Sequence, residues 1–189
     1  GRHIAVIGGG NTAMDAARVA LRLQKIQGLG PDVTVVYRRT EIEMPARRLE
    51  IEHAKEEVIK FQFLVSPKEF LGNADGVVET FAAVRCELGS PDQSGRRKPI
   101  VVPGSEFGIP CDQAIVAVGL KANQVLIRET PGLTIDKNSD IVVDPWTMQT
   151  SLPGVYAGGD VVCGEGTVIE AMGMAKKAAS AILEYLLKK

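Results

Sequence analysis

His3-Ile4-Ala5-Val6-Ile7-Gly8-Gly9-Gly10-Asn11-Thr12-Ala13-Met14-Asp15 is the stretch from which the rest of the chain is read. An apolar run ends in a triple glycine and passes directly into helix-favouring residues. Strand, tight turn and helix in that order open a dinucleotide-binding unit, and Gly8, Gly10 and Ala13 stand in the G-x-G-x-x-A spacing. Gly8 allows the turn, Gly10 lets the backbone close on a pyrophosphate, and Ala13 is small enough for the helix to pack on the strand. The free N–H groups of the helix start then face the phosphates. The candidate phosphate-binding residues are therefore Gly8, Gly9, Gly10, Asn11, Thr12 and Ala13. A tight turn without a ligand would use the same glycines, so the remaining chain has to discriminate.

The helix is expected from Asn11 to about Gln27, with Ala13, Ala17, Ala20 and Leu21 forming one small-residue face and Gly28-Leu29-Gly30-Pro31 stopping it. Val33 to Tyr37 is a β-branched second strand that ends in Arg38-Arg39. In an NAD-binding unit this strand end carries Asp or Glu to hold the ribose hydroxyls. Two guanidinium groups stand there instead, and arginine grips a phosphate with paired hydrogen bonds, which points to NADP. The alternative is a solvated arginine pair. A helix expected over residues 46–59, begun by Pro45, puts Arg47 and Arg48 in its first turn, either near an adenosine phosphate or as surface charges. Asp15, Glu43 and Asp160 are the polar candidates near the cofactors, and Asp15 suits a helix N-terminus equally well.

From Phe61 the texture changes. Phe61 to Val65 and Gly76 to Cys86 read as strands, joined through Asn73-Ala74-Asp75-Gly76 turn chemistry. Gly89 to Lys98, with Pro91, Asp92, Ser94 and Gly95, reads as a polar loop, and Pro99 to Pro103 as an edge strand. Residues 65–105 are thus an inserted antiparallel β meander with no evident chemistry. Asp112 to Gly119, nearly continuously apolar, reads as a central parallel strand. The joint to a second unit follows, then a hairpin around residues 136–140 and a strand ending in Gly158-Gly159-Asp160. In the last helix, from about Gly166 to Leu187, Val168, Met172, Ala175, Ala179, Ile182 and Leu186 form the expected core-facing stripe.

The net charge of −1 provides no field for nucleic acid or an anionic membrane, and neither is an expected partner. No apolar run is long enough for a membrane span and no signal-peptide pattern opens the chain. The three cysteines, Cys86, Cys111 and Cys163, are widely spaced with no C-x-x-C, which suits a reducing, cytoplasmic compartment and excludes a redox dithiol or iron–sulfur cluster from these residues. His3 and His53 are too isolated for a metal site, so no metal is expected. The abrupt start on a strand leads us to expect a piece of a longer protein.

Three separated motifs, Gly8 to Asp15, Ala117-Val118-Gly119 and Tyr156-Ala157-Gly158-Gly159-Asp160, occur in the order seen in flavin-dependent pyridine-nucleotide reductases with two dinucleotide-binding domains. Val36-Tyr37-Arg38-Arg39, Glu43-Met44-Pro45, Ala54-Lys55-Glu56-Glu57, Asp144 to Thr150 and Gly159-Asp160-Val161-Val162 narrow this. The chain resembles the small (beta) subunit of NADPH-dependent glutamate synthase. The resemblance implies a fold of the α/β class: a Rossmann-like NAD(P)-binding domain with the inserted meander over residues 1–121, then the C-terminal portion of a split FAD-binding domain over residues 122–189. It implies that Gly8 to Ala13 hold the NADP pyrophosphate and Arg38 and Arg39 the 2′-phosphate. It places Ala117, Val118 and Gly119 by the nicotinamide, Gly159 and Asp160 on the FAD ribityl chain, and Gly166, Thr167 and Val168 at the flavin ring.

The implied activity is that of an NADPH-dependent flavoprotein oxidoreductase, passing hydride from NADPH to FAD and on to iron–sulfur centres or a partner large subunit. No catalytic acid or base is required, because hydride moves directly between cofactors. This chain has one glycine fingerprint and no cysteine-rich segment, so the first half of the FAD domain is expected to lie outside it. Weak or absent FAD binding and self-association through an uncovered apolar surface are expected of the chain alone. Two alternatives stand: a non-catalytic scaffold or regulatory subunit that keeps the fold, and a thioredoxin-reductase-like enzyme.

Overall fold

Alternation along two short strands organises the first part of the molecule. In the computed structural model, which describes residues 1–92, 95–120, 122–164 and 166–188, β1 (Ile4–Ile7) and β2 (Val33–Tyr37) are parallel neighbours, with Ile4 opposite Val33. Ile4, Val6, Val33, Val35 and Tyr37 point to one face; Ala5, Ile7 and Val36 point to the other. With β3 (Lys60–Phe63) and β8 (Gln113–Val116) they form a four-stranded parallel sheet in the order β3-β2-β1-β8.

The first face is covered by α1 (Asn11–Ile26) and α2 (Arg48–Glu56), which bury Ala13, Met14, Ala17, Leu21, Ile51 and Ala54. The second is covered by an antiparallel sheet of β4 (Val65–Gly72), β5 (Val78–Pro91), β6 (Arg97–Val101) and β7 (Phe107–Pro110). In this sheet β5 pairs β4, β7 and, further along, β6. The meander is therefore the crossover from β3 to β8, and it seals the face that a helix would otherwise cover. Fully buried Met14 and Phe81, on opposite faces, each contribute roughly 2–3 kcal/mol.

Several local expectations change. The 46–59 helix shrinks to Arg48–Glu56, because the Ala46 N–H is held by the Gly9 carbonyl and the Arg47 N–H by the Asn11 side chain, which keeps the chain extended over the glycine turn. Residues Glu41–Glu43 form one 3-10 turn. The 61–65 strand is two, broken at Leu64, whose φ of +58 turns the chain from the parallel sheet into the antiparallel one. The polar loop narrows to the tip between β5 and β6; its Ser94 lies outside the described residues, as does Lys121 at the expected joint. The strand ending at Gly119 is parallel but at the sheet edge, with Val116 and Val118 exposed rather than buried.

The chain divides into two compact units, Gly1–Val118 and Gly119–Lys189. The second holds α3 (Gln124–Arg128), isolated bridges linking Ile135 to Ile141, Val143 to Thr150 and Gln149 to Tyr156, α4 (Asp160–Cys163) and α5 (Val168–Leu187). The expected 155–160 strand is reduced to the Tyr156 bridge, since Asp160 already starts α4. On α5 the half-covered face is Ala171, Met174, Ala178, Ala181 and Tyr185. The stripe expected to face the core is instead outside it: Val168, Met172, Ile182 and Leu186 are all exposed.

Arginines of α1 tie it to α2. Arg18 pairs with Glu50 and Glu57 at 2.8 Å, and Arg22 with Glu57 at 2.6 Å. Hydrogen bonding from Arg22 and then Arg18 outweighs burial and lowers the Glu57 carboxyl to about 2. Because the folded-state value is depressed, this stabilisation is complete above the ordinary carboxyl range and is lost as pH falls toward about 2. Glu57→Gln is expected to lower stability near neutral pH by about 1–2 kcal/mol. Denaturant melts from neutral pH into acid should show the gap from wild type closing across that window.

Candidate functional site

The glycine turn is built by exclusion. A Cβ on Gly8, at φ +142, would be driven into the Ala117 carbonyl oxygen, and one on Gly9 would come within 2.6 Å of the Tyr37 ring. Nothing lies within 4 Å of the position a Cβ would take on Gly10. The turn is thus filled below by protein and open above, over the start of α1. No side chain caps that helix, and Asn11 and Thr12 are exposed while Ala13 is fully buried against the strand. A bare helix start beside an open Gly10 fits a pyrophosphate: its N–H groups and dipole favour an anion, and no side chain blocks the approach.

Segments around the turn are locked to it. Ile7 accepts the Ala117 N–H at 2.8 Å, which sets the end of β8 beside Gly8. Val118 is exposed, and Gly119 opens the second unit. The Tyr37 hydroxyl donates to the Glu43 carbonyl at 2.8 Å. Arg47, exposed at the N-cap of α2, is joined through its N–H to Asn11 Oδ1 at 2.8 Å.

The two arginines at the end of β2 part company. Arg38 is exposed. Arg39 is buried: its Nε donates to the Arg97 carbonyl at 2.6 Å and its Nη2 pairs with Asp92 at 2.8 Å. Glu43 is buried too, accepting from the Thr40 N–H and hydroxyl and from Arg97 Nε at 2.7 Å. Burial opposes its ionisation, but Thr40 and the Arg97 guanidinium outweigh that and hold the carboxyl below its usual range. Sequence reading missed Asp92 and Arg97. They reach this corner from the β5–β6 hairpin, more than fifty residues along the chain, and no local pattern marks them.

In the second unit, Gly159, at φ +80, donates its N–H to Met174 Sδ at 3.2 Å, and exposed Asp160 accepts the Gly166 N–H at 3.3 Å. Gly159, Asp160, Gly166, Thr167 and Val168 are thereby gathered in one corner. The start of α5, unlike that of α1, satisfies itself: Thr167 accepts the Glu170 N–H, and the Glu170 carboxylate accepts from the Thr167 N–H at 2.7 Å. Beside this corner a groove of about 230 Å³ is walled by small residues, Gly158, Gly159, Ala171, Ala175 and Ala178 among them.

The pyridine nucleotide-disulphide oxidoreductase family matches residues 1–179. The chain belongs to that family. NADP(+)-dependent formate dehydrogenase subunit beta of Moorella thermoacetica is 43% identical over 98% of this chain and 25% of its own length. Glutamate synthase (NADPH) small chain of Escherichia coli is 37% identical over 98% of this chain and 39% of its own. NADPH-Fe(3+) oxidoreductase subunit beta of Geobacter sulfurreducens is 37% identical over 98% and 30%. The resemblance to the glutamate synthase small chain is borne out, and the chain spans well under half the length of these relatives. Among solved structures, thioredoxin reductase of Lactococcus lactis shares the fold with a TM-score of 0.74, at 23% identity over 99% of this chain and 54% of that one. FprA of Mycobacterium tuberculosis in complex with NADPH shares it at 0.72, with 20% identity over 98% and 53%. Among the described residues no helix is long and apolar enough to cross a membrane, and no group of His, Cys, Asp or Glu could hold a metal.

Two single substitutions separate the filled side of the turn from the open one. Gly8→Ala is expected to cost about 3 kcal/mol or more, since both the φ and the Ala117 carbonyl oppose it. Gly10→Ala should cost less than about 1 kcal/mol, because a helix-start glycine with open space above it tolerates a methyl group. Urea unfolding of both variants checks this.

Proposed function

We propose that the chain is the NADPH-binding part of a flavin-dependent oxidoreductase of the glutamate-synthase-small-chain type, with residues 1–121 taking the nucleotide and residues 122–189 contributing the C-terminal portion of an FAD domain. One observation carries the reading: an uncapped helix start beside open Gly10, with an exposed guanidinium at the end of β2 where an NAD site has a free carboxylate. The names of the relatives, which specify NADP(+) or NADPH, support it.

In this reading the N–H groups of Gly9 to Thr12 hold the pyrophosphate, while Ala13, whose own N–H binds the Gly10 carbonyl at 3.0 Å, packs the helix start onto the strand. Arg38 holds the 2′-phosphate with Arg47 at its flank. Arg39, spent on Asp92 and the Arg97 carbonyl, acts as a brace under Arg38 rather than as its twin in a clamp. Ala117, Val118 and Gly119 line the nicotinamide end. Gly159 and Asp160 meet the FAD ribityl chain, with Gly166, Thr167 and Val168 near the ring. When bound, NADPH and FAD supply the redox chemistry, and the transfer of hydride between them asks no side chain to act as acid or base. The chain's own residues bind, orient and exclude water.

Glu170 already answers the α5 start, so weak FAD binding by this chain alone is the expectation. Val168, Ile169, Met172, Leu183, Leu186 and Leu187 are exposed on the same helix. They suit the remainder of a longer flavoprotein and, in its absence, self-association. Several relatives are named as subunits, which supports electron delivery to a large subunit or iron–sulfur acceptor.

Calorimetric titration tests the nucleotide assignment. The chain should bind NADPH saturably and NADH more weakly. Arg38→Ala should weaken NADPH about ten- to a hundredfold while leaving NADH nearly unchanged. Saturable binding of neither nucleotide would sink the assignment, and equal losses for both would remove the role given to Arg38.

A further inference from the structure

We propose that Arg97, on the β5–β6 hairpin, sets the preference for a 2′-phosphate by holding the Glu43 carboxylate out of the nucleotide site. The inserted meander is then a specificity element as well as a cover for the sheet. This rests on the reading of the first unit as an NADPH site and deepens it.

Glu43 belongs to the same corner as the phosphate turn. Its carbonyl receives the Tyr37 hydroxyl, the Tyr37 ring lies beneath Gly9, and three residues on the Ala46 N–H binds the Gly9 carbonyl at 3.0 Å. An unpaired carboxylate here would do what the acidic residue of an NAD site does: accept from ribose hydroxyls and repel a phosphate. It is not unpaired. Arg97 Nε donates to Oε1 at 2.7 Å, while Oε2 is taken by Thr40. The Arg97 side chain is 45% exposed and the Glu43 side chain 5%, so the exposed end of the pair is the cationic one.

The second carboxylate that the hairpin brings in, Asp92, is paired in the same way by Arg39. Both negative charges are thus compensated by buried or half-buried guanidinium groups, and Arg38 is left exposed at the strand end. The hairpin backbone is also secured independently of the Arg97 side chain, because Arg39 Nε binds the Arg97 carbonyl. Substituting the side chain therefore removes the charge pair and leaves the clamp on the hairpin.

The test uses the whole chain with Arg97→Gln, Arg97→Lys, Glu43→Gln and the double variant Glu43→Gln/Arg97→Gln. NADPH and NADH are titrated separately, and thermal melts show that each variant is folded. Arg97→Gln should weaken NADPH about tenfold and NADH less than about twofold, narrowing the ratio of the two affinities. Arg97→Lys, which keeps the charge, and the double variant, which removes the carboxylate too, should both return the ratio to within about threefold of wild type. Equal weakening of both nucleotides by Arg97→Gln would show a structural role only and overturn the proposal. So would an unchanged ratio, or a double variant no better than the single one. If wild type itself fails to bind NADPH, the reading of the site falls, and this proposal with it. The wild-type titration alone reveals that.

Discussion

The contact between Gly8 and the Ala117 carbonyl governs the first unit. No side chain fits between the end of β1 and the end of β8, so the chain must leave β1 through a glycine at positive φ. That exit angle delivers α1 with no side-chain cap on its first turn and open space at Gly10. The same closeness draws the neighbouring segments onto the turn: Tyr37 under Gly9, Ala46 onto the Gly9 carbonyl and Arg47 onto Asn11. One steric constraint thus positions the phosphate turn, the end of β2 and the start of α2 together.

Charge then decides what the corner can hold. A turn of this kind accepts any dinucleotide pyrophosphate, and discrimination lies at the end of β2. Three arginines and two carboxylates meet there, and the pairs Arg39–Asp92 and Arg97–Glu43 cancel internally. Arg38 is left exposed without a carboxylate partner in these pairs, beside the half-exposed Arg97. The meander, which looked inert, contributes half of this arrangement.

Much of this was legible in the sequence because it is local. The glycine spacing, the β-branched second strand and its Arg38-Arg39 end all report on residues that touch their own neighbours. What could not be read was long-range. Which arginine turns inward depends on Asp92 and the Arg97 carbonyl, brought by a hairpin from the far side of the sheet. The apolar run at 112–119 suggested a central strand, yet it lies at the edge, since periodicity reports burial against a partner and does not say which one. The α5 stripe erred for the same reason. Two apolar faces alternate along that helix, and the one packed within this chain is Ala171, Met174, Ala178, Ala181 and Tyr185. The exposed face is the one whose pattern looked most like a core.

In the proposed site a nucleotide phosphate sits on the uncapped start of α1, steered by Arg38. The most direct measurement is a backbone and arginine side-chain nitrogen–proton NMR titration of the chain with adenosine 2′,5′-bisphosphate, a ligand that carries the 2′-phosphate without the nicotinamide. Saturable shifts are expected of the Gly9, Gly10, Asn11 and Thr12 amides and of the Arg38 guanidinium, with the Arg39 guanidinium held in its slowly exchanging pair. Saturable shifts confined to other residues, or none at the start of α1, would contradict it.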